Sequence, residues 1–178
     1  LVFDRGALKY DGPTSEAIGH YLNSRPRLTG AGRLPVPELE CQGQWVGNPA
    51  CGIVEVGLGQ AQSDAIPVAG DLTLEVLIET SSAREGLRFG YSVNDELHSA
   101  VLTGFSPDFA VPGAGRHLCT LTLEHLPLCP GAYSLSMSLG TGGLHEPKYE
   151  FHSIIGFGRF RISPAWKDGR PVGDWNRG

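Results

Sequence analysis

The sequence predicts an all-β protein: an antiparallel β-sandwich of the Ig-like or jelly-roll kind, with a short hairpin-and-helix segment at its N-terminal end. Three observations predict it. The 178 residues include 25 glycines and 13 prolines, nearly twice the average usage, and neither residue sits well inside a helix. Apolar residues make up 40% of the chain, too many for a low-complexity segment. From Ala50 onward they recur at every second position in separate short runs, the period of half-buried strands.

Taken in order, the elements divide into three stretches. Residues 1–25 read as strand, turn, strand, helix. Leu1-Val2-Phe3 and Ala7-Leu8-Lys9-Tyr10 flank Asp4-Arg5-Gly6, which predicts a hairpin. Pro13, Thr14 and Glu16 supply helix-start chemistry, and Ala17, Ile18, Tyr21 and Leu22 fall on one helical face. Residues 26–49 hold Pro26, Pro35, Pro37 and Pro49 with Gly30, Gly32, Gly43 and Gly47 and show no period. They read as a linker whose end, Trp45-Val46, docks on something apolar.

Residues 50–178 form the sandwich. Its strands are expected over Ile53–Leu58, Leu72–Glu79, Leu87–Val93, His98–Gly104, Cys119–Glu124, Tyr133–Leu139 and Phe157–Ile162. Turn pairs such as Gly70-Asp71, Asn94-Asp95 and Pro130-Gly131 separate most of them. Seven or eight half-buried antiparallel strands are the mark of a sandwich.

Several function classes are excluded by what is missing. A net charge of −5 and a pI near 5.6 disfavour a nucleic-acid partner, whose backbone needs clustered Lys and Arg. Every apolar run is broken well before the ~20 residues of a membrane span, and no basic then apolar leader stands at the start. A chain opening on Leu with a single Met reads as a piece of a longer protein. The cysteines at 41, 51, 119 and 129 form no C-x-x-C pair. They are expected to be reduced thiols of a cytoplasmic protein, with Cys119 a small buried hydrophobe. The histidines at 20, 98, 117, 125, 145 and 152 make no i, i+2 or i, i+4 pair, so no metal site is expected. Carboxylates such as Glu55, Glu75, Glu79, Glu124 and Glu146 fall mostly on solvent faces. With no nucleophile elbow, zinc-helix motif or phosphate loop, no catalytic residue is assigned and the chain is not expected to be an enzyme.

Two resemblances add to this reading. The run Leu1–Leu22, with Val2-Phe3-Asp4, Gly6, Asp11-Gly12-Pro13-Thr14 and Glu16-Ala17-Ile18, resembles the closing segment of an ABC-type ATPase domain. That resemblance implies a structural role for residues 1–25. ATP and Mg would belong to a domain upstream, leaving no cofactor in this chain. The sandwich is similar to the C-terminal carbohydrate-binding domain of Wzt-type subunits, the ATPases of O-antigen polysaccharide exporters. The similarity rests on Val68–Leu74, Leu87–Val93 and the Leu126-Pro127-Leu128-Cys129-Pro130-Gly131-Ala132-Tyr133-Ser134-Leu135 run, and covers about residues 50–163. It departs at Lys148–His152, where that family carries an acidic, aromatic-flanked segment. The tail from Trp166 to Gly178 resembles no part of the family. The resemblance implies non-catalytic recognition of a lipid-linked O-antigen polysaccharide, coupled to ATP-driven export. It also implies a homodimer working beside a membrane permease at the cytoplasmic face of the inner membrane.

The alternation itself proposes a surface for a glycan. With Leu87, Phe89, Tyr91 and Val93 turned to the core, Arg88, Ser92 and Asn94 face outward, and so do Ser134 and Ser136. Sugar hydroxyls need dense short-range partners. Arg88 donates two bonds, while Tyr149, His152 or Trp45 supplies a flat face. The same serines and glycines equally describe an ordinary solvated strand face. A second reading therefore stands beside the first: a dimerisation or docking module without its own glycan, pairing through an exposed edge strand or the Trp-bearing tail.

Overall fold

A computed structural model describes residues 1–4, 6–14, 16–17, 33–39, 43–59, 65–143, 145–146, 148, 150–167 and 170–172. Strands β1 (Val2–Asp4) and β2 (Ala7–Tyr10) form the expected hairpin. Its turn is made by Gly6 at φ +80°, a left-handed conformation that side chains resist. Helical backbone starts at Thr14, where the Ala17 N–H reaches the Pro13 carbonyl at 2.9 Å. The Tyr10 hydroxyl donates to Glu16 and ties hairpin to helix start. The rest of the expected helix, with Ile18, Tyr21 and Leu22, lies outside the described residues.

Two sheets make the sandwich. The smaller has four antiparallel strands in the order β11 (Gly115–Leu123), β7 (Leu72–Thr80), β5 (Cys51–Leu58) and β3 (Arg33–Pro35). The larger is built on β8 (Arg84–Asn94), β12 (Gly131–Gly140) and β13 (His152–Ser163), side by side and antiparallel. Two short strands share each of its edges. On the β8 side these are β9 (Ala100–Phe105) and β10 (Phe109–Val111). On the β13 side β4 (Gly43–Val46) runs antiparallel and β6 (Ala65–Pro67) parallel. A last hairpin, β14 (Ala165–Lys167) with β15 (Arg170–Val172), follows.

The predicted alternation fills the space between the sheets. Leu72, Leu74, Val76 and Ile78 of β7 are fully buried, facing Leu87, Phe89 and Val93 of β8, Leu135, Met137 and Leu139 of β12, and Ile154, Phe157 and Phe160 of β13. Each such side chain contributes roughly 1.5–3 kcal/mol of burial. Phe89 stacks on Phe109 with ring centres 5.1 Å apart, which pins the short β10 to the core.

The structure adds the short strands β6, β10, β14 and β15, which no run in the sequence predicted, and differs from the sequence expectation elsewhere too. Residues 33–35 and 43–46, expected in a linker, are edge strands of the small and large sheets respectively. The last long strand begins at His152 rather than Phe157. His98, expected to open a strand, sits at φ +63° in the β8–β9 turn, where the Asp95 carboxylate accepts the N–H groups of Leu97 and Ser99. Cys119 is half-buried rather than buried. Cys51, Cys119 and Cys129 are free thiols, and Cys41 lies outside the described residues. No helix among the described residues is long and apolar enough to cross a membrane.

Candidate functional site

The outer face of the large sheet carries the candidate site. Residues opposite one another in an antiparallel ladder share a face, so the registers can be read across the sheet as rows. Phe105 of β9 lies opposite Gly90 of β8, Gly90 opposite Ser138 of β12, Ser138 opposite Ser153 of β13, and Ser153 opposite Trp45 of β4. Small residues thus floor the middle of the row and an aromatic ring stands at each end. Four strand spacings of about 4.8 Å set the two aromatic strands about 19 Å apart. Trp45 is 50% exposed, and its ring lies along the strand over Gly47, where a Cβ would meet it at 2.3 Å. The Ser153 hydroxyl donates to the Ser138 hydroxyl at 2.8 Å, which leaves the Ser138 proton to point elsewhere.

At the β9 end the row opens into a cleft of about 560 Å³. Arg88, Phe105 and Asp108 form one wall, and the loop joining β12 to β13 forms the other with Thr141, Gly143, Glu146 and Lys148. That loop is closed by its own backbone: Thr141 and Gly142 donate to the Lys148 carbonyl and Gly143 to the Glu146 carbonyl. The Thr141 hydroxyl donates to Glu150. Gly143 leaves space for the Arg88 guanidinium, since a Cβ there would sit 3.3 Å from Nη1. Charges occur in pairs, Arg88 with Asp108 at 3.7 Å and Lys148 with Glu146 at 3.2 Å. The cleft therefore offers donors and acceptors together, without a dominant sign.

The structure separates the predicted site residues. Arg88 lines the cleft and Trp45 ends the row. Ser92 is half-buried one row away, opposite Ser136. Ser136 is engaged: its hydroxyl oxygen accepts both Asn94 Nδ2 and the Gly156 N–H at 3.0 Å. Asn94 and Ser134 are 8% and 5% exposed, and the Ser134 hydroxyl has no hydrogen-bond partner among the described residues. Tyr149 lies outside the described residues.

His152 is not the flat stacking face expected of it. It is 5% exposed and points between the sheets, where Nδ1 accepts the Ile53 N–H of β5 at 3.0 Å. Its Nε2 lies 2.8 Å from the side-chain amide of Gln44. An acceptor at Nδ1 requires the neutral Nε2–H tautomer, which donates when the amide presents its oxygen. Burial pushes the imidazole pKa below its ordinary value.

Sequence reasoning missed Phe105, Asp108 and Ser153. Phe105 ends its strand, Asp108 sits in a break between two strands, and Ser153 precedes a bulged stretch that hides the alternation. The available signal was Ser153 itself, one residue after His152 and before Ile154, had the strand been extended backward.

No protein-family model and no curated protein matches the chain. Among solved structures, the fold is similar to the C-terminal domain of wzt, with a TM-score of 0.59 and 11% identity over 74% of this chain and 82% of that one. Weaker likenesses are to the Pseudomonas fluorescens alkylpurine DNA glycosylase AlkC (TM-score 0.42, 10% identity, 65% of this chain and 31% of that one), and to the CARDB domain of a Pyrococcus furiosus protein (TM-score 0.34, 10% identity, 70% and 91%). Neither of the latter superposes well enough to carry an argument.

Proposed function

We propose that the chain is a non-catalytic glycan-binding domain that holds a lipid-linked O-antigen polysaccharide on the outer face of its large sheet, coupling recognition to ATP-driven export. The observation that carries this reading is the Phe105–Gly90–Ser138–Ser153–Trp45 row opening into the Arg88 cleft. A pyranose presents C–H groups on its faces and hydroxyls around its rim. Aromatic rings at the ends of the row take the faces. Serine hydroxyls and the paired charges take the rim, because each pair both donates and accepts. The row is long enough for several sugars of an extended chain. The wzt-like fold agrees with the sequence resemblance, and within it residues 1–25 serve as the tail of an ATPase domain. The parent subunit then works in the cytoplasm, as a homodimer beside a membrane permease.

The test is calorimetric titration of the chain with O-antigen polysaccharide of the producing strain, for the wild type and for the W45A, F105A and R88A variants. Each substitution is expected to weaken binding by about tenfold or more while the unfolding midpoint stays near that of the wild type. Absence of heat and of chemical-shift change at millimolar glycan overturns the reading. So does binding that none of the three substitutions alters.

A further inference from the structure

The four edges of the sandwich are unequal. On the large sheet, the β9/β10 edge is broken at Ser106-Pro107-Asp108, and the opposite edge is split between β4 and β6, the latter ending in Pro67. On the small sheet, β3 has three residues, ends in Pro35, and carries Arg33 clamped to Glu55 and Glu75 at 3.2 and 3.0 Å. Short strands, prolines and charges are the devices that keep edges from pairing. The remaining edge, β11, is neither short nor broken by proline, and its charges stand only at its two ends, Arg116 near the start and Glu124 just past Leu123. It runs nine residues in unbroken register with β7, and no described strand pairs with its other side.

We propose that β11 pairs antiparallel with β11 of a second copy, joining two four-stranded sheets into one across a two-fold axis at Thr120. Arg116, Leu118, Thr120, Thr122 and Glu124 are exposed, while His117, Cys119, Leu121 and Leu123 turn inward. A self-pairing that keeps the inward faces together must match even positions with even ones, because a one-residue slip turns every side chain over. Among those registers, the one centred on Thr120 sets Arg116 opposite the partner's Glu124 and, by symmetry, Glu124 opposite the partner's Arg116. It also sets Leu118, 55% exposed, against the partner's Thr122 methyl. Centring on Leu118 or Cys119 leaves Arg116 facing a threonine. Among the described residues Arg116 makes a loose 3.8 Å contact with Glu79, both side chains more than half exposed, so its guanidinium can serve a second carboxylate. The pairing is isologous and closes as a dimer.

Charge exchange tests this without touching the core. In sedimentation velocity the wild-type chain is a dimer, and R116E and E124R, which place like charges opposite in both copies of the pair, each weaken association by about tenfold or more. The double variant R116E/E124R regains the wild-type dimer. Mixing the two single variants gives heterodimers, since every facing pair is then of opposite sign. A monomeric wild type, a dimer indifferent to both single exchanges, or singly exchanged chains that fail to associate on mixing overturns the proposal. Glycan titration of R116E keeps this outcome separate from that of the binding face, which lies on the other sheet.

Discussion

A buried imidazole held neutral makes folding depend on pH, and His152 is such a group. Its folded pKa is lowered by burial, so between that value and the unfolded value of about 6.5 only the unfolded chain takes up the proton. Stability from this site is therefore complete above the unfolded value, declines as pH falls through it, and levels off below the folded value. The advantage of wild type over H152Q in urea unfolding is expected to narrow from about pH 7.5 to about pH 5.5; a constant advantage would remove the histidine from the account. Ser136 poses a simpler case. S136A strips the acceptor from Asn94 and from the Gly156 N–H and is expected to cost about 1–3 kcal/mol, whereas S92A changes stability by less than about 0.5 kcal/mol. Denaturant midpoints of the two variants separate them. In the sequence these serines look alike, both outward on alternating strands. Their difference depends on which residue stands across the ladder, and alternation carries no register. The outward position of Arg88 was legible from the alternation of β8, whereas Trp45, on the four-residue β4, had no period to place it.

Strand β13 shows why some elements are legible and others are not. Gly156 and Gly158 stand at φ +62° and +53°, and the register against β12 shifts on either side of Leu135. These are bulges, each adding an unpaired residue and turning the strand. They break the period of two, so the sequence shows only the stretch after Phe157. The first bulge leaves its N–H to Ser136. G156A and G158A are each expected to destabilise by about 1–2 kcal/mol, the cost of a side chain in the left-handed region, read as a lowered thermal midpoint; unchanged midpoints would mean that the bulges relax. The edge strands β3, β4, β6 and β10 escaped notice for another reason. Three or four residues cannot display a period, and partners distant in sequence hold them in place. Strands β5, β7, β8, β11 and β12 are long enough to declare themselves.

One apolar layer serves the whole sandwich, so its parts are expected to fail together. Phe157 has no exposed surface and packs where the large sheet bends. F157A is expected to cost about 3–5 kcal/mol through the lost contacts and the cavity left behind. It should lower the urea midpoint while leaving the slope, and the coincidence of circular-dichroism and tryptophan-fluorescence transitions, unchanged. Two separate transitions would show that the sheets unfold independently. The fold class was visible at this scale because spacing and turns suffice to predict a sandwich. The cleft was not, since the Thr141–Lys148 loop owes its form to backbone bonds that no side-chain pattern records.

The segment from Arg33 to Val46 gives β3 to one sheet and β4 to the other. Mechanically it is a stitch passed through both layers. A tug on the chain ahead of Arg33 meets first the ladder of β3 with β5 and then that of β4 with β13, and the second of these ladders carries Trp45. Tension arriving from the N-terminal side would thus pass the buried Val36 and Leu39 before it reached an end of the aromatic row. A traction line into the sandwich is in this way also a line to the surface proposed to grip a sugar chain.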